Sequence, residues 1–223
     1  MTPLDLTRAA DKLRLRGGLP GAFGYDRAAD GFRTAKNRGV PIIDLLPAAM
    51  PASWMVNNRA PSPVFRRWLT SPLLEAWSSL LAMLQGGPDS WQGLGGPARD
   101  EVAATVVTLS IDGQGPCALS KVLALLVPET VPLMDDAAVA RMTGLVDVPD
   151  TAERPRAPPD VFVPTLDAFS EAVLQHEETL IELARGYDLC PLDASQVLDR
   201  LIWFDSWGHR HFKELDDRAS PAR

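Results

Sequence analysis

From Pro63 onward, apolar residues recur at three- and four-residue spacing. Val64, Trp68, Leu73, Leu74, Trp77, Leu80, Leu81 and Leu84 form one such series, with a break predicted at Ser71-Pro72, where the proline disrupts a continuous helix. Gly86-Gly87-Pro88 ends the series, and Gly93 to Pro97 forms a second loop. Pro97 opens a helix over Ala98–Leu109, with Asp100 and Glu101 in the first turn, where the helix dipole favours acids. A strongly apolar helix, Ala118 to Val127, carries Leu119, Val122, Leu123, Leu125 and Leu126 and stops at Pro128. Residues 144–164 hold five prolines and several acids, the composition of a linker or wrapping loop. Two further helices follow. Leu166–Tyr187 places Leu166, Phe169, Val173, Leu180 and Leu183 on one side and closes at Gly186, and Asp193–Trp207 is capped by Asp193 or Ser195, with Val197, Leu198, Leu201, Ile202 and Phe204 inward.

The first 62 residues follow a different pattern. They are rich in Gly, Pro and Arg, with a short helix near Leu4–Leu15 and turn signals at Gly17-Gly18, Pro20-Gly21 and Gly39. Val40-Pro41-Ile42-Ile43 suits a short strand that its proline confines to a sheet edge. The expected fold is mainly α. An irregular basic segment (1–62) packs on a helical domain (63–212) with a hairpin at 111–117, and a polar tail (213–223) follows.

At 223 residues and 46 % hydrophobic content, the chain can bury a sizeable core. No run of eighteen apolar residues is present, so no membrane span is expected. The N-terminus mixes Asp5, Arg8, Asp11, Lys12 and Arg14, unlike a secretory leader. Cys117 and Cys190 lack metal-ligand spacing and suit two free thiols in a cytoplasmic protein. The net charge of −7 divides unevenly: residues 1–70 carry eleven Lys and Arg against five acids, and the remainder has a net charge of −13. The basic front half either tracks nucleic-acid phosphates or docks on the acidic part of its own chain or of a protein partner.

The stretch Ile111-Asp112-Gly113-Gln114-Gly115-Pro116-Cys117 joins two apolar helices through two glycines one residue apart, and about twenty residues later comes Asp135-Asp136. Such glycines let consecutive amides point one way at a helix N-terminus, which favours an anion. The turn resembles the hairpin of the helix-hairpin-helix DNA glycosylase superfamily, which typically reads Leu-Pro-Gly-Val-Gly. In that family a catalytic aspartate follows at a helix N-terminus after an extended apolar stretch. Val131-Pro132-Leu133-Met134-Asp135-Asp136-Ala137-Ala138-Val139 resembles that stretch, so the resemblance, over about residues 98–142, implies Asp136 as the catalytic carboxylate, with Asp135 second. It also implies Gly113, Gln114 and Gly115 as nucleic-acid contacts, with Lys121 on the same helix. Members that cleave the backbone carry a lysine two residues after the second glycine, where Cys117 stands here; Lys121 lies four residues further on, so the implied activity is monofunctional. Asp112 replaces the usual proline and sets a negative charge beside the turn. No four-cysteine cluster is present, and no cofactor is expected. The alternative for Asp135-Asp136 is ordinary helix capping, worth roughly 1 kcal/mol.

Of the six tryptophans, Trp54 and Trp91 lie in polar, loop-like contexts and are the candidates for a base-pocket wall or wedge; core packing is the alternative for each. His209-Arg210-His211 invites a metal reading, but residues two apart project to opposite faces of a helix, and no metal site is expected. The function implied is a DNA-directed N-glycosidic bond hydrolase acting on a modified or damaged base, with DNA preferred over RNA. The alternative is a non-catalytic module of the same scaffold that binds nucleic acid or a protein partner.

Overall fold

The computed structural model describes residues 6, 9–10, 20–55, 64–111, 115–134, 136–144, 158–186 and 193–211, with backbone alone at 20–27, 54–55, 136–137, 140–141 and 203–211. These residues are mainly helical, and no strand occurs among them. The helices are α1 (Pro20–Asn37), α2 (Ile42–Met55), α3 (Val64–Trp68), α4 (Ser71–Leu84), α5 (Gly87–Gly93), α6 (Gly96–Leu109), α7 (Pro116–Leu126), α8 (Asp136–Thr143), α9 (Phe162–Gly186) and α10 (Ala194–His211), with a 3₁₀ turn at Pro159–Val161. No described helix is long and apolar enough to cross a membrane.

The apolar helix after the glycine turn is the centre of the molecule. Every α7 residue except Cys117 and Lys121 is buried. The helix packs against α1 and α2 and also contacts α6. Burying Leu119, Val122, Leu123, Leu125 and Leu126 contributes about 1.5–3 kcal/mol per side chain. Helices α2 to α7 supply most of the main core, which also takes in Val127, Val131, Met134 and Val139. A second cluster forms between α8, α9 and α10 and includes Leu6, Ala9 and Ala10. The 25-residue α9 joins the two cores, giving Phe162 and Leu166 to the first and Phe169, Val173, Leu180 and Ala184 to the second.

Two features of the N-terminal part correct the sequence-based expectation. The region expected to be irregular contains α1 and α2, and the strand expected at Val40–Ile43 is instead a turn leading into α2. α1 ends at Asn37, and Gly39 follows in the closing turn with a φ of +86° that suits glycine. Val40 N–H bonds back to Ala35 O and Gly39 N–H to Lys36 O, which close the last turn. Pro47 and Pro51 lie inside α2 and remove two backbone donors. Burial of Leu45, Leu46, Ala49 and Met50 in the main core compensates. The Gly86-Gly87 pair does more than end α4. Both residues are left-handed, and a Cβ on Gly86 would clash with Ser90 Oγ, so glycine is required where the chain turns into α5.

Trp68 fixes the end of α6. Its indole ring is fully buried and packs edge-on against Trp77 with centroids 5.3 Å apart, and its Nε1–H donates to Leu109 O at 2.8 Å. Leu109 is the last residue of α6, so a buried side chain satisfies one of the carbonyls that a helix C-terminus leaves open. Trp68→Phe keeps most of the ring and removes one of the two bonds that Leu109 O accepts, leaving the one from Ile111 N–H. We expect a loss of about 0.5–1.5 kcal/mol in urea unfolding at constant m-value; a native midpoint would mean that the bond contributes nothing.

Candidate functional site

Helices α6 and α7, on either side of residues 112–114, are the structural core of the candidate site. Ser110 closes α6: its N–H reaches Val106 O and Val107 O, and its Oγ donates to Val106 O at 2.7 Å. Gly113, Gln114 and Asp112 lie outside the described residues. Gly115 is the N-cap of α7, and its carbonyl accepts from Ala118 N–H at 2.9 Å and Leu119 N–H at 3.2 Å. Its φ of −106° is not left-handed, so the backbone there does not itself require glycine. Pro116 occupies the first turn, where a missing N–H costs nothing. Lys121 is half-buried on α7 and already has a contact within the chain.

After α7 the chain runs without helix from Val127 to Met134, yet side chains tie it down along most of its length. Lys36 Nζ donates to Leu126 O at 2.8 Å and to Glu129 Oε1 at 3.2 Å. Thr130 Oγ1 accepts from Gly87 N–H at the start of α5, and Ser195 Oγ donates to Glu129 O at 2.9 Å. Asp199 Oδ1 accepts from Leu133 N–H at 2.9 Å. Ser120, fully buried in the middle of α7, accepts from Met134 N–H at 2.9 Å while its hydroxyl donates to Cys117 O at 3.1 Å. α8 begins at Asp136, two residues beyond Met134. Asp135 and the side chain of Asp136 lie outside the described residues.

The tryptophans differ in placement. Trp54 lies on α2, and its side chain is outside the described residues. Trp91 belongs to helix α5, not to a loop, and is 1 % exposed. Its Nε1–H donates to Asp167 Oδ1 at 2.9 Å, Arg99 lies over its ring, and Arg99 Nη1 pairs with the same carboxylate oxygen at 3.1 Å. Trp91 is thus a core residue of the α5–α6–α9 junction, not the wall of an open pocket. Its polar neighbours suggest a loop; the half-buried partner Asp167, 76 residues away, explains the difference. Among the described residues, no three His, Cys, Asp or Glu side chains converge as metal ligands.

Sequence reasoning had identified Asp193 and Ser195 as alternative caps of α10, and the structure separates their roles. Asp193 Oδ1 accepts from Gln196 N–H at 2.9 Å, while Ser195 reaches across to Glu129. Arg33 on α1 donates to Gln196 Oε1 at 2.7 Å and stands 3.9 Å from Asp193. The residues missed in the sequence are Ser120 and Asp199, which hold the segment leading to α8. The available signal was a lone hydroxyl, beside Lys121, within a largely apolar helix, which must find a partner once buried. Comparison with known protein families, with curated proteins and with solved structures returns no match for this chain.

Burial pushes the Asp193 carboxyl above its ordinary value. The Gln196 N–H and Arg33 oppose that shift, and Glu129 adds to it. Its side chain keeps 43 % of its surface in water, which limits the effect on stability. Because the folded-state value is raised, this group's contribution is fully present below pH 3.8 and is lost as pH rises through the folded value. Asp193→Asn retains a good cap and cannot ionise, so its stability, followed by urea midpoint across this range, should lack that component. At neutral pH it should be at least as stable as the native chain, whereas Asp193→Ala should lose about 0.5–2 kcal/mol with the cap. Equal losses for Asn and Ala at neutral pH would contradict this assignment.

Proposed function

We propose that this chain is a DNA-directed N-glycosidic bond hydrolase acting on a modified or damaged base, with Asp136 as its carboxylate and the Gly113–Gly115 turn as a phosphate contact. The observation that carries this reading is the order of elements around α7. Two helices flank residues 112–114, and a non-helical segment is then bonded by Ser120 and Asp199 immediately before α8 starts at Asp136. This order supports the resemblance on the particular residues that carry it.

The chemistry asked of Asp136 is modest. As the bond between the sugar C1′ and the base nitrogen breaks, the sugar becomes oxocarbenium-like, and a carboxylate beside it stabilises that charge or takes a proton from the attacking water. The water oxygen ends on C1′, and the base leaves carrying the electron pair of the broken bond. The base must first be extruded from the stack, at a cost of a few kcal/mol that is smallest for a damaged or mismatched base.

One observation favours the non-catalytic alternative. Arg33 and Lys36, two cations of the basic front half, are committed to the body of the protein itself. Meanwhile Glu171, Glu177, Glu178 and Glu182 line the exposed surface of α9, which suits a protein partner.

Asp136→Asn separates the two readings. Incubated with duplexes carrying uracil, oxidised or alkylated bases, the variant should lose base release by at least about 100-fold and bind the same duplexes as well as or better than the native chain. If the native chain binds but releases no base from any duplex or single strand, the binding-module reading holds instead.

A further inference from the structure

α9 turns one side to the rest of the protein and one side to water. Leu166, Phe169, Val173, Leu180 and Ala184 are buried, and the helix packs against α5, α6, α8 and α10. The opposite side carries Glu171, Glu177, Glu178 and Glu182, all exposed, with two apolar residues among them. Leu174 is 37 % exposed and Ile181 36 %. They stand one heptad apart, so they fall within about 20° of each other around the helix and roughly 10 Å apart along it. The helical period places Glu177 on one flank of this line and Glu171, Glu178 and Glu182 on the other.

The acids of this face are not balanced within the chain. Among the described residues, none of the four pairs with a cation or accepts a hydrogen bond on its side chain. Glu178 and Glu182 are like charges four residues apart, an arrangement that disfavours the helix, whereas an ordinary solvated face mixes both signs. Arg185 stands in the last turn, where the helix dipole favours a cation, and forms no ion pair with these acids. Four glutamates and one arginine give the face a net charge of −3. That charge repels phosphate, so nucleic acid and anionic membranes are poor occupants. A second copy of the same face would bring like charges together.

We infer that the outer face of α9 docks a basic amphipathic helix of a partner protein: the partner's apolar stripe covers Leu174 and Ile181, and its lysine and arginine side chains meet the glutamates on both flanks. Helices lying along one another touch once per heptad, which matches the spacing of Leu174 and Ile181. Charges beside such a seam choose the partner, and acids on both flanks choose a basic one. The apolar pair at the centre supplies most of the affinity, while the flanking charges set specificity and association rate. This assignment does not rest on the hydrolase reading. It holds whether or not Asp136 is catalytic, because no residue of this face belongs to the candidate site.

The test is the affinity of the full chain for a labelled synthetic peptide of about 20 residues, with leucine at heptad positions a and d and lysine at e and g, measured by anisotropy. The native chain should bind it with an affinity that falls as salt rises, and should bind a scrambled peptide of the same composition at least about tenfold more weakly. L174A/I181A should weaken binding by about tenfold and keep the salt dependence. E178Q/E182Q should weaken binding, flatten the salt dependence and leave the melting temperature no lower than native. The control D100N/E101Q, on α6, should match the native chain. Equal affinity for the two peptides, or equal losses in E178Q/E182Q and D100N/E101Q, would mean diffuse attraction to an acidic protein and would overturn the assignment. So would no binding of the peptide at low salt. Self-association of the chain that L174A/I181A abolishes would give the face to a second copy instead.

Discussion

A hydroxyl placed in the most deeply buried helix of this protein constrains everything downstream of it. α7 is surrounded on nearly every side, so Ser120 cannot turn to water. An unbonded buried hydroxyl, or the Met134 N–H it would leave open, costs about 1–3 kcal/mol. The hydroxyl donates to Cys117 O and accepts from Met134 N–H, which answers both requirements and fixes where the non-helical segment after α7 meets the helix. Asp199 from α10 takes the adjacent amide of Leu133, so two side chains from different helices set the path of the chain just before α8 begins. A segment without its own secondary structure thereby acquires a defined geometry, the condition for presenting a side chain at its end with useful accuracy.

The charge asymmetry of the sequence is resolved partly within the fold. Lys36 reaches the last carbonyl of α7 and Glu129, and Arg33 reaches the N-terminus of α10. These contacts bind α1 to the same non-helical stretch that Ser120 and Asp199 organise. They also commit two cations of the basic front half to the body of the protein. The half-exposed ion pairs themselves are worth little; the bond from Lys36 to Leu126 O matters more, because it satisfies a helix-end carbonyl.

Much of the helical body was legible in the sequence. Helices α4, α6, α7, α9 and α10 announce themselves through three- and four-residue apolar spacing, with Pro97, Pro116 and Pro128 marking their ends. α1 and α2 were not legible. α1 is rich in Gly and Arg and α2 carries two internal prolines, so local propensity opposes both, and only burial against α7 makes them helical. Trp91 was misplaced for the same kind of reason: its polar neighbours suggested a loop, but Arg99 and Asp167 enclose it. Of the candidate site, the two helices on either side of residues 112–114 and the helix start at Asp136 were visible from spacing alone. The bonds of Ser120 and Asp199 were not, because they join residues 14 and 66 positions apart, and no local pattern encodes them.

Amide hydrogen exchange at Leu133 and Met134 tests this account most directly. Neither amide belongs to a helix, so a loop merely lying on the surface would exchange them close to the unprotected rate. Held by Asp199 and Ser120, they should exchange as slowly as the core amides of α7, and Ser120→Ala should release Met134 selectively. Exchange of both amides at loop rates in the native chain would contradict the claim that the segment before Asp136 is locked in place.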